Sequence, residues 1–169
     1  ADYKEMIYEG YGPHGIAVLV ETATDNTNRT VASVRMYFNK YGGTLGTSGS
    51  VGFMFEHKCV FKFKPTAGAD LEEMELEMID FGVEEFYAEE GEVTVYAPYE
   101  SFGQIQTWIE DKGYELVSGE GVRVPTDTKE LTAEQREAVN KLIEHLEEDD
   151  DVTNVYTTMA ESEDDDEEE

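Results

Sequence analysis

The 169-residue sequence has a single cysteine, few cations and no long apolar run. Cys59 excludes an internal disulfide, and its place in the apolar run Cys59–Phe61 predicts a small buried side chain. No segment approaches the roughly 20 apolar residues needed to span a bilayer. The first residues, Ala1–Glu5, lack the basic and apolar parts of a signal peptide. The sequence therefore predicts a soluble, cytoplasmic protein with no membrane partner.

Cations are scarce and unevenly distributed along the chain. There are 12 Lys and Arg against 40 Asp and Glu, which gives a formal net charge of −28. Residues 1–64 hold seven of the cations against six acids, whereas residues 65–169 hold five against 34. A strongly negative segment repels phosphate backbones and anionic membranes. Any contact with nucleic acid is therefore expected in the first third of the chain.

Sequence patterns of catalysis and metal binding are also scarce. His14, His57 and His145 have no Cys or His at ligand spacing, which argues against a zinc site. The Gly-rich segment 42–50 follows a predicted helix and lacks the lysine of a phosphate-binding loop. The acidic run Glu147–Asp151 lacks the spacing of a calcium loop. We therefore expect no enzyme activity, no cofactor and no metal.

The first part of the chain predicts a strand, a helix, a loop and a second strand. Residues 15–21 are apolar and rich in β-branched side chains, as in a buried strand. A helix follows, because apolar residues recur at helical spacing until a glycine pair ends the pattern. Its apolar stripe is Val31, Val34, Phe38 and Tyr41. Residues 42–50 are predicted to be a loop, and residues 51–55 the next strand.

The middle of the chain predicts the split βαβ order of a ferredoxin-like domain, β-α-β-β-α-β. The segments are strand 60–64, helix 70–81, hairpin strands 83–87 and 93–96, helix 99–112 and strand 114–117. A strand at 122–124, a helix whose start at Thr132 and Gln135 is a capping box, and a strand at 152–156 follow. These last three elements cannot close a core alone. Joined to the first part of the chain, they complete a second β-α-β-β-α-β set.

The predicted fold class is therefore α+β, with two ferredoxin-like domains, one inserted in the other. Each is expected to be a four-stranded antiparallel sheet with two helices on one face. The outer domain is predicted at 1–57 plus 120–158, and the inserted domain at 58–119. The closing segment 159–169 is rich in acids and is expected to be disordered. Oligomeric state is not readable, although an open sheet edge could pair with another copy.

Two features of the sequence are more specific than a fold requires. One is the segment Tyr8–Gly15, and the other is the pair of loops 25–30 and 42–50. A long Gly-rich loop is either a tight structural crossing or a contact surface, and the sequence leaves both possibilities open. Arg29 could hold a phosphate or carboxylate in a forked hydrogen bond, or form a salt bridge to Glu21 or Glu9.

Three segments carry specific motifs: YEGYGPHG at 8–15, ETATDNTNRTVASVR at 21–35 and NKYGGTLGTSGSVGFMF at 39–55. Together they resemble the YebC/PmpR family, relatives of the mitochondrial translational activator of cytochrome c oxidase. VPTDTKELTAEQ at 124–135 also fits the family pattern, so the resemblance covers about residues 3–158. The acidic tail departs from it.

The resemblance implies a basic, helical N-terminal domain that this sequence lacks, so we expect the chain to be part of a longer protein. It also implies a non-enzymatic regulator of gene expression. Two activities follow from it, a ribosome-associated translation factor and a DNA-binding transcriptional regulator. The acidic charge map favours the ribosome, which a local neutral-to-basic patch can approach. Contacts with ribosomal RNA or DNA are expected mainly through the absent basic domain.

Within this chain, contacts are expected at positions of the family motifs. They are Tyr8, Tyr11, Asn26, Asn28, Arg29, Thr30, Gly43, Thr44, Gly46, Thr47, Ser48, Gly49 and Ser50. A further alternative is a regulatory module whose paired ferredoxin-like domains bind a small metabolite.

Overall fold

A computed structural model describes residues 2–162 of the chain, which form eight strands and four α-helices. The strands are β1 Lys4–Tyr11, β2 Ala17–Thr24, β3 Thr44–Leu45, β4 Phe55–Lys64, β5 Glu85–Glu89, β6 Glu92–Pro98, β7 Glu115–Pro125 and β8 Val152–Thr157. The helices are α1 Thr27–Lys40, α2 Leu71–Ile79, α3 Phe102–Asp111 and α4 Ala133–Glu148. The chain divides into two compact units. Residues up to 55 and from 125 onward form the outer unit, and residues 56–124 form the inserted unit.

The inserted unit has the predicted order β-α-β-β-α-β, with its strands arranged β5-β6-β4-β7 in one sheet. Alternate residues of β4 and β6 point to one face, where Phe61, Phe63 and Val95 are fully buried. The helices α2 and α3 cover that face with Met78, Ile109 and other apolar side chains. Cys59 belongs to the same core, as predicted, and its burial raises the pKa of the thiol.

The outer unit is also a four-stranded antiparallel sheet, ordered β3-β1-β2-β8. The α+β class and the two four-stranded sheets with two helices each are therefore confirmed. The order of elements in the outer unit differs from the prediction, because it begins with the hairpin β1-β2. β1 was not predicted as a strand. Its exposed residues give little apolar alternation, and it is held by eight residue pairs with β2 instead.

Two strands predicted for the outer sheet lie elsewhere. Residues 122–124 are the end of β7, in the sheet of the inserted unit. Most of the predicted strand 51–55 is a 3-10 turn at Gly52–Met54, and only Phe55 is extended, as the first residue of β4. The apolar signal of this segment comes from burial, since Val51 and Phe55 pack against Ala17 and Leu19 of β2.

The core of the outer unit explains why the first half of β2, Ala17–Val20, is apolar. Val18 and Val20 of β2, together with Ile16 just before it, face α1 and α4, where they pack with Phe38, Leu142 and neighbouring side chains. The alternate residues of β2 face the segment 51–55 on the opposite side of the sheet. A strand buried on both faces reads as a continuous apolar run. Both helices lie on one face of the sheet, as predicted.

The C-terminal segment is anchored further than the sequence suggests. Met159 forms a parallel bridge with Lys129, and the Ala160 amide donates to the Lys129 carbonyl at 2.9 Å. The carbonyl of Ala160 accepts a hydrogen bond from the Arg136 guanidinium. The prediction of disorder is therefore wrong at 159–160, because Met159 and Ala160 precede the acidic run and pair with Lys129 through the backbone. The rest of that prediction falls largely on 163–169, outside the described residues.

Candidate nucleic-acid interface

The loop after α1 crosses tightly over the end of β1. β3 pairs with Gly10 and Tyr11, so the chain backbone passes directly over Gly10. A Cβ atom at Gly10 would lie 2.6 Å from the carbonyl oxygen of Thr44 and 2.9 Å from the ring of Phe38. At Gly43, a Cβ atom would collide with the carbonyl oxygen of Tyr11. Gly43 is therefore explained by packing, because only glycine permits this close approach.

The far end of the same loop is tied to a buried carboxylate. Glu9 is 7% exposed, and its side chain accepts hydrogen bonds from three backbone amides. The distances are 2.6 Å from the Gly49 nitrogen and 3.1 Å from the Val51 nitrogen, and the third donor is Gly52. Successive amides that converge on one anion form a nest. Glu9 thereby closes residues 46–52 into a defined loop.

The middle of the loop is open to solvent. Thr44 and the residues from Gly46 to Gly49 are exposed, whereas Ser50 is partly buried. The Ser50 hydroxyl oxygen is buried and has no hydrogen-bond partner among the described residues. The side chains of Thr44, Thr47 and Ser48 remain available as contacts, because the internal hydrogen bonds in the middle of the loop use backbone atoms, the Gly46 amide and the Thr47 carbonyl. We call residues 44–49 the exposed loop.

A second group of predicted residues lies at the start of α1 and is joined to Asp151. The Arg29 guanidinium donates to both Asp151 oxygens, at 3.1 Å from Nε and 2.8 Å from the terminal nitrogen, and also reaches Asp25 at 3.2 Å. The Thr30 hydroxyl donates to Asp151 at 2.9 Å. The hydrogen bond from Arg29 holds the pKa of the Asp151 carboxyl below its usual value. This fork fixes α1 to the turn before β8.

These contacts correct two expectations at this end of α1. The salt bridge of Arg29 is made with Asp151 and Asp25, not with Glu21 or Glu9. Asp151 could not be identified as the partner from the sequence, because it lies 122 residues from Arg29. Thr30 is 1% exposed, so it supports the helix and cannot reach a partner in this conformation. Asn26 caps α1, since its side chain accepts from the Arg29 amide at 3.1 Å. Asn28 is exposed.

The two predicted tyrosines lie on opposite faces of β1. Tyr8 pairs with Val20 and packs against the core under the helices, and its burial raises the pKa of the phenol. Tyr11 pairs with Ala17, so its side chain points to the other face, where it is 39% exposed. Tyr11 lies beside Thr44 in the register of β1 and β3. Only Tyr11 therefore joins the exposed loop.

The structure does not bring the two predicted loops together. Loop 25–30 contains the start of α1, and loop 42–50 begins after its end. A helix of 14 residues is about 21 Å long. The predicted contacts therefore form two separate groups, at opposite ends of the helix.

The outer face of α1 connects these two groups, and the sequence prediction missed it. Arg35, Met36, Asn39 and Lys40 are exposed there together with Asn28. Arg35 makes no ion pair or hydrogen bond with the described residues. Of the four helices in residues 2–162, α1 alone contains no Asp or Glu. An acid-free helix in a chain of 40 acids is a signal that the sequence does contain.

Metal binding and membrane insertion are two further possibilities for the described part of the chain. No group of three or more His, Cys, Asp or Glu residues in it is arranged to hold a metal ion. None of its helices is both long enough and apolar enough to cross a membrane.

Comparison with known proteins places the chain in a family. Residues 3–159 match the family model described as TACO1/YebC second and third domain. A relative from Porphyromonas gingivalis, named probable transcriptional regulatory protein, is 60% identical over 162 residues, which cover 96% of this chain and 67% of the relative. A relative of the same name from Parabacteroides distasonis is 58% identical over 168 residues, covering 99% and 68%. The chain thus spans about two thirds of their length.

A solved structure supports the same assignment. The crystal structure of the conserved hypothetical protein Aq1575 from Aquifex aeolicus superposes with a TM-score of 0.74 at 34% identity. It covers 96% of this chain and 67% of that protein. The two nested units agree with the family model, which describes two domains over residues 3–159. The chain belongs to the TACO1/YebC family, and it corresponds to the second and third domains of that family.

Proposed function

We propose that this chain is the two-domain part of a non-enzymatic regulator of gene expression that acts in translation by binding the ribosome. The regulatory role agrees with the names of the relatives. The observation that carries the ribosome proposal is the acid-free outer face of α1, which presents Arg35 and Lys40 to solvent. Ribosomal RNA is the matching partner, because phosphates attract these cations and accept their hydrogen bonds.

The charge distribution argues for a local contact and against a long positive groove. Residues 1–55 carry four cations and five acids, and two of those acids, Glu9 and Asp25, are engaged by internal hydrogen bonds. The remaining residues of the chain are strongly acidic. A duplex needs an extended positive surface, whereas a large ribonucleoprotein offers sites where one neutral-to-basic face can dock. The exposed loop, with Thr44, Thr47 and Ser48, extends this face beyond the end of α1.

The experiment is co-sedimentation of the chain with ribosomes over a series of salt concentrations. We expect the chain to pellet at low salt and to be released progressively as salt rises, because counterions compete with the cations of α1. A longer form that carries the basic N-terminal domain of the family should remain bound at higher salt. A chain that stays in the supernatant at every salt concentration contradicts the proposal.

DNA binding is the second candidate function, and the names of the relatives favour it. It predicts a mobility shift of duplex DNA that fades with salt. The two functions separate if ribosomes and duplex DNA are offered in the same buffer. A shift of DNA at salt concentrations where ribosomes do not retain the chain would put transcription first.

A further inference from the structure

The inserted sheet has one face that its helices leave uncovered. In β4 and β6, the buried residues alternate with Lys58, Val60 and Lys62 on one strand and Thr94 and Tyr96 on the other. β5 adds Tyr87, which pairs with Thr94. Because alternate side chains of a strand share a face, these residues lie together opposite the core formed with α2 and α3. We call this the open face.

Two tyrosines provide ring surface on the open face. Tyr87 is 55% exposed, and Tyr96 is partly exposed on the neighbouring strand. Their ring centres lie 6.3 Å apart with the planes at 88°. Nothing in the core of the unit requires an aromatic side chain at Tyr87, because most of its surface faces solvent. An exposed ring of this kind can stack on a nucleic-acid base.

Two lysines lie on the same face and have no internal partner. Lys62 and Lys64 are exposed and form no ion pair with the described residues, whereas Lys58 is paired with Glu56 and Glu84. Lys62 pairs with Thr94, which in turn pairs with Tyr87. Strands are about 4.8 Å apart, so Lys62 and Tyr87 have backbones about 10 Å apart across β6. One nucleotide can therefore place its phosphate near the lysine and its base near the ring.

Acidic residues restrict where a phosphate can lie. Glu89 pairs with Glu92 at the end of the hairpin, and Glu85 lies beside Tyr96. Glu89 and Glu92 line the same shallow pocket as Lys62, Lys64 and Tyr87, so within it the carboxylates repel phosphate while the lysines attract it towards β4. The charge pattern thus favours a strand whose backbone follows β4 and whose bases point towards β5.

We propose that the open face binds single-stranded RNA, with bases stacked on Tyr87 and Tyr96 and phosphates held by Lys62 and Lys64. The choice of RNA as the nucleic acid rests on the proposed function in translation. The same order of elements, with aromatic residues on the open face of a four-stranded sheet, is used by RNA-recognition motifs. A duplex buries its bases and cannot stack on these rings.

The test is binding of a fluorescein-labelled, single-stranded RNA decamer of mixed sequence to the full 169-residue chain, followed by anisotropy. We expect Tyr87→Ala and Tyr96→Ala each to raise Kd about tenfold, the lower range measured for lost base stacking. Tyr87→Phe keeps the ring and should bind like the parent chain. Tyr3→Ala, at a tyrosine that is 68% exposed in the outer unit, is the matched control.

The lysines have an independent readout in the salt dependence. Loss of one phosphate contact to a single strand lowers the slope of log K against log salt by about 0.7, which we expect for Lys62→Ala. Lys112→Ala removes a cation from the end of α3 and should leave the slope unchanged. Melting curves of the variants separate lost binding from lost folding.

Three results would overturn the proposal. They are the absence of decamer binding, equal binding of the decamer and its duplex, and unchanged binding by a double variant that carries both Tyr87→Ala and Tyr96→Ala. Failure here is distinguishable from failure of the proposed function. A chain that pellets with ribosomes but does not bind the decamer loses only the open face as a site.

Discussion

At the scale of single residues, Glu9 shows how one buried charge can shape a surface loop. Its carboxylate accepts three backbone amides from the segment Gly49–Gly52, so the loop end has a fixed position. Hydrogen bonds to a charged group contribute more than neutral ones, and a buried group left without them is costly. The exposed loop therefore depends on a residue that does not itself reach solvent.

Glu9→Gln tests this anchor. The amide retains one acceptor oxygen but loses the charge, so we expect the free energy of unfolding to fall by about 1 to 3 kcal/mol. Urea denaturation followed by circular dichroism gives the value. Glu5→Gln is the matched control, because Glu5 lies on the same face of β1 and is exposed. Equal stability of the two variants would contradict the role of Glu9.

Asp151 gives a prediction about pH. Because Arg29 lowers the pKa of this carboxyl from its ordinary value of 3.8, the ion pair stabilises the fold above that pH. Stability from the pair is lost as pH falls through the lowered pKa. Asp151→Asn should therefore destabilise the chain at pH 7, and the difference from the parent chain should shrink below pH 3.8. Asp150→Asn, at an exposed position, is the control in the same urea titrations.

At the scale of elements, the residues of α1 divide into those that stabilise the helix and those that are exposed to a partner. Asn26 caps it and Thr30 ties it to Asp151, whereas Asn28, Arg35 and Asn39 point outward. The helix itself was predictable, since its apolar stripe and the glycines after it are strong local signals. Its pairing with Asp151 was not, because no local pattern specifies a contact across 122 residues.

Substitution of the two asparagines distinguishes these roles. Asn26→Ala removes an N-cap, which costs about 1 kcal/mol. Asn28→Ala should leave the free energy of unfolding unchanged and weaken ribosome association instead. Thermal melts and co-sedimentation of the same two variants measure both effects. If Asn28→Ala is the more destabilising change, the assignment of the cap is wrong.

The strands were only partly predictable from the sequence. β2 was predictable because burial on both faces makes its first half, Ala17–Val20, a continuous apolar run. β1 and β3 were not, because β1 is largely exposed and β3 is only two residues long. Both are defined by backbone pairing, which leaves little trace in side-chain pattern. Residues 122–124 were predicted in the wrong sheet for the same reason, because their apolar alternation does not show which strand they pair with.

At the scale of the whole molecule, the inserted unit builds its hydrophobic core from its own residues. Its largest buried side chains, including Phe61, Phe63 and Ile105, all lie within residues 56–124. Its two ends are neighbouring strands, β4 and β7, so chain breaks there would leave the sheet order intact. The inserted domain predicted at 58–119 stays a prediction, and we expect the compact unit 56–124 to fold on its own.

Excision tests that prediction. A fragment of residues 56–124 should give a cooperative thermal transition and a near-UV circular dichroism signal from its buried Trp108. A fragment without a cooperative transition would show that the inserted unit needs the outer one to fold.

The proposed function rests on a short cationic face in a chain of net charge −28. The most direct test is ribosome co-sedimentation at one low salt concentration with Arg35→Glu, compared with Lys141→Glu. Both residues are exposed and lie on helices of the outer unit, and both substitutions change the charge equally. We expect Arg35→Glu to remain in the supernatant while Lys141→Glu pellets like the parent chain. Equal pelleting of both variants would contradict it, because α1 would then contribute nothing to binding.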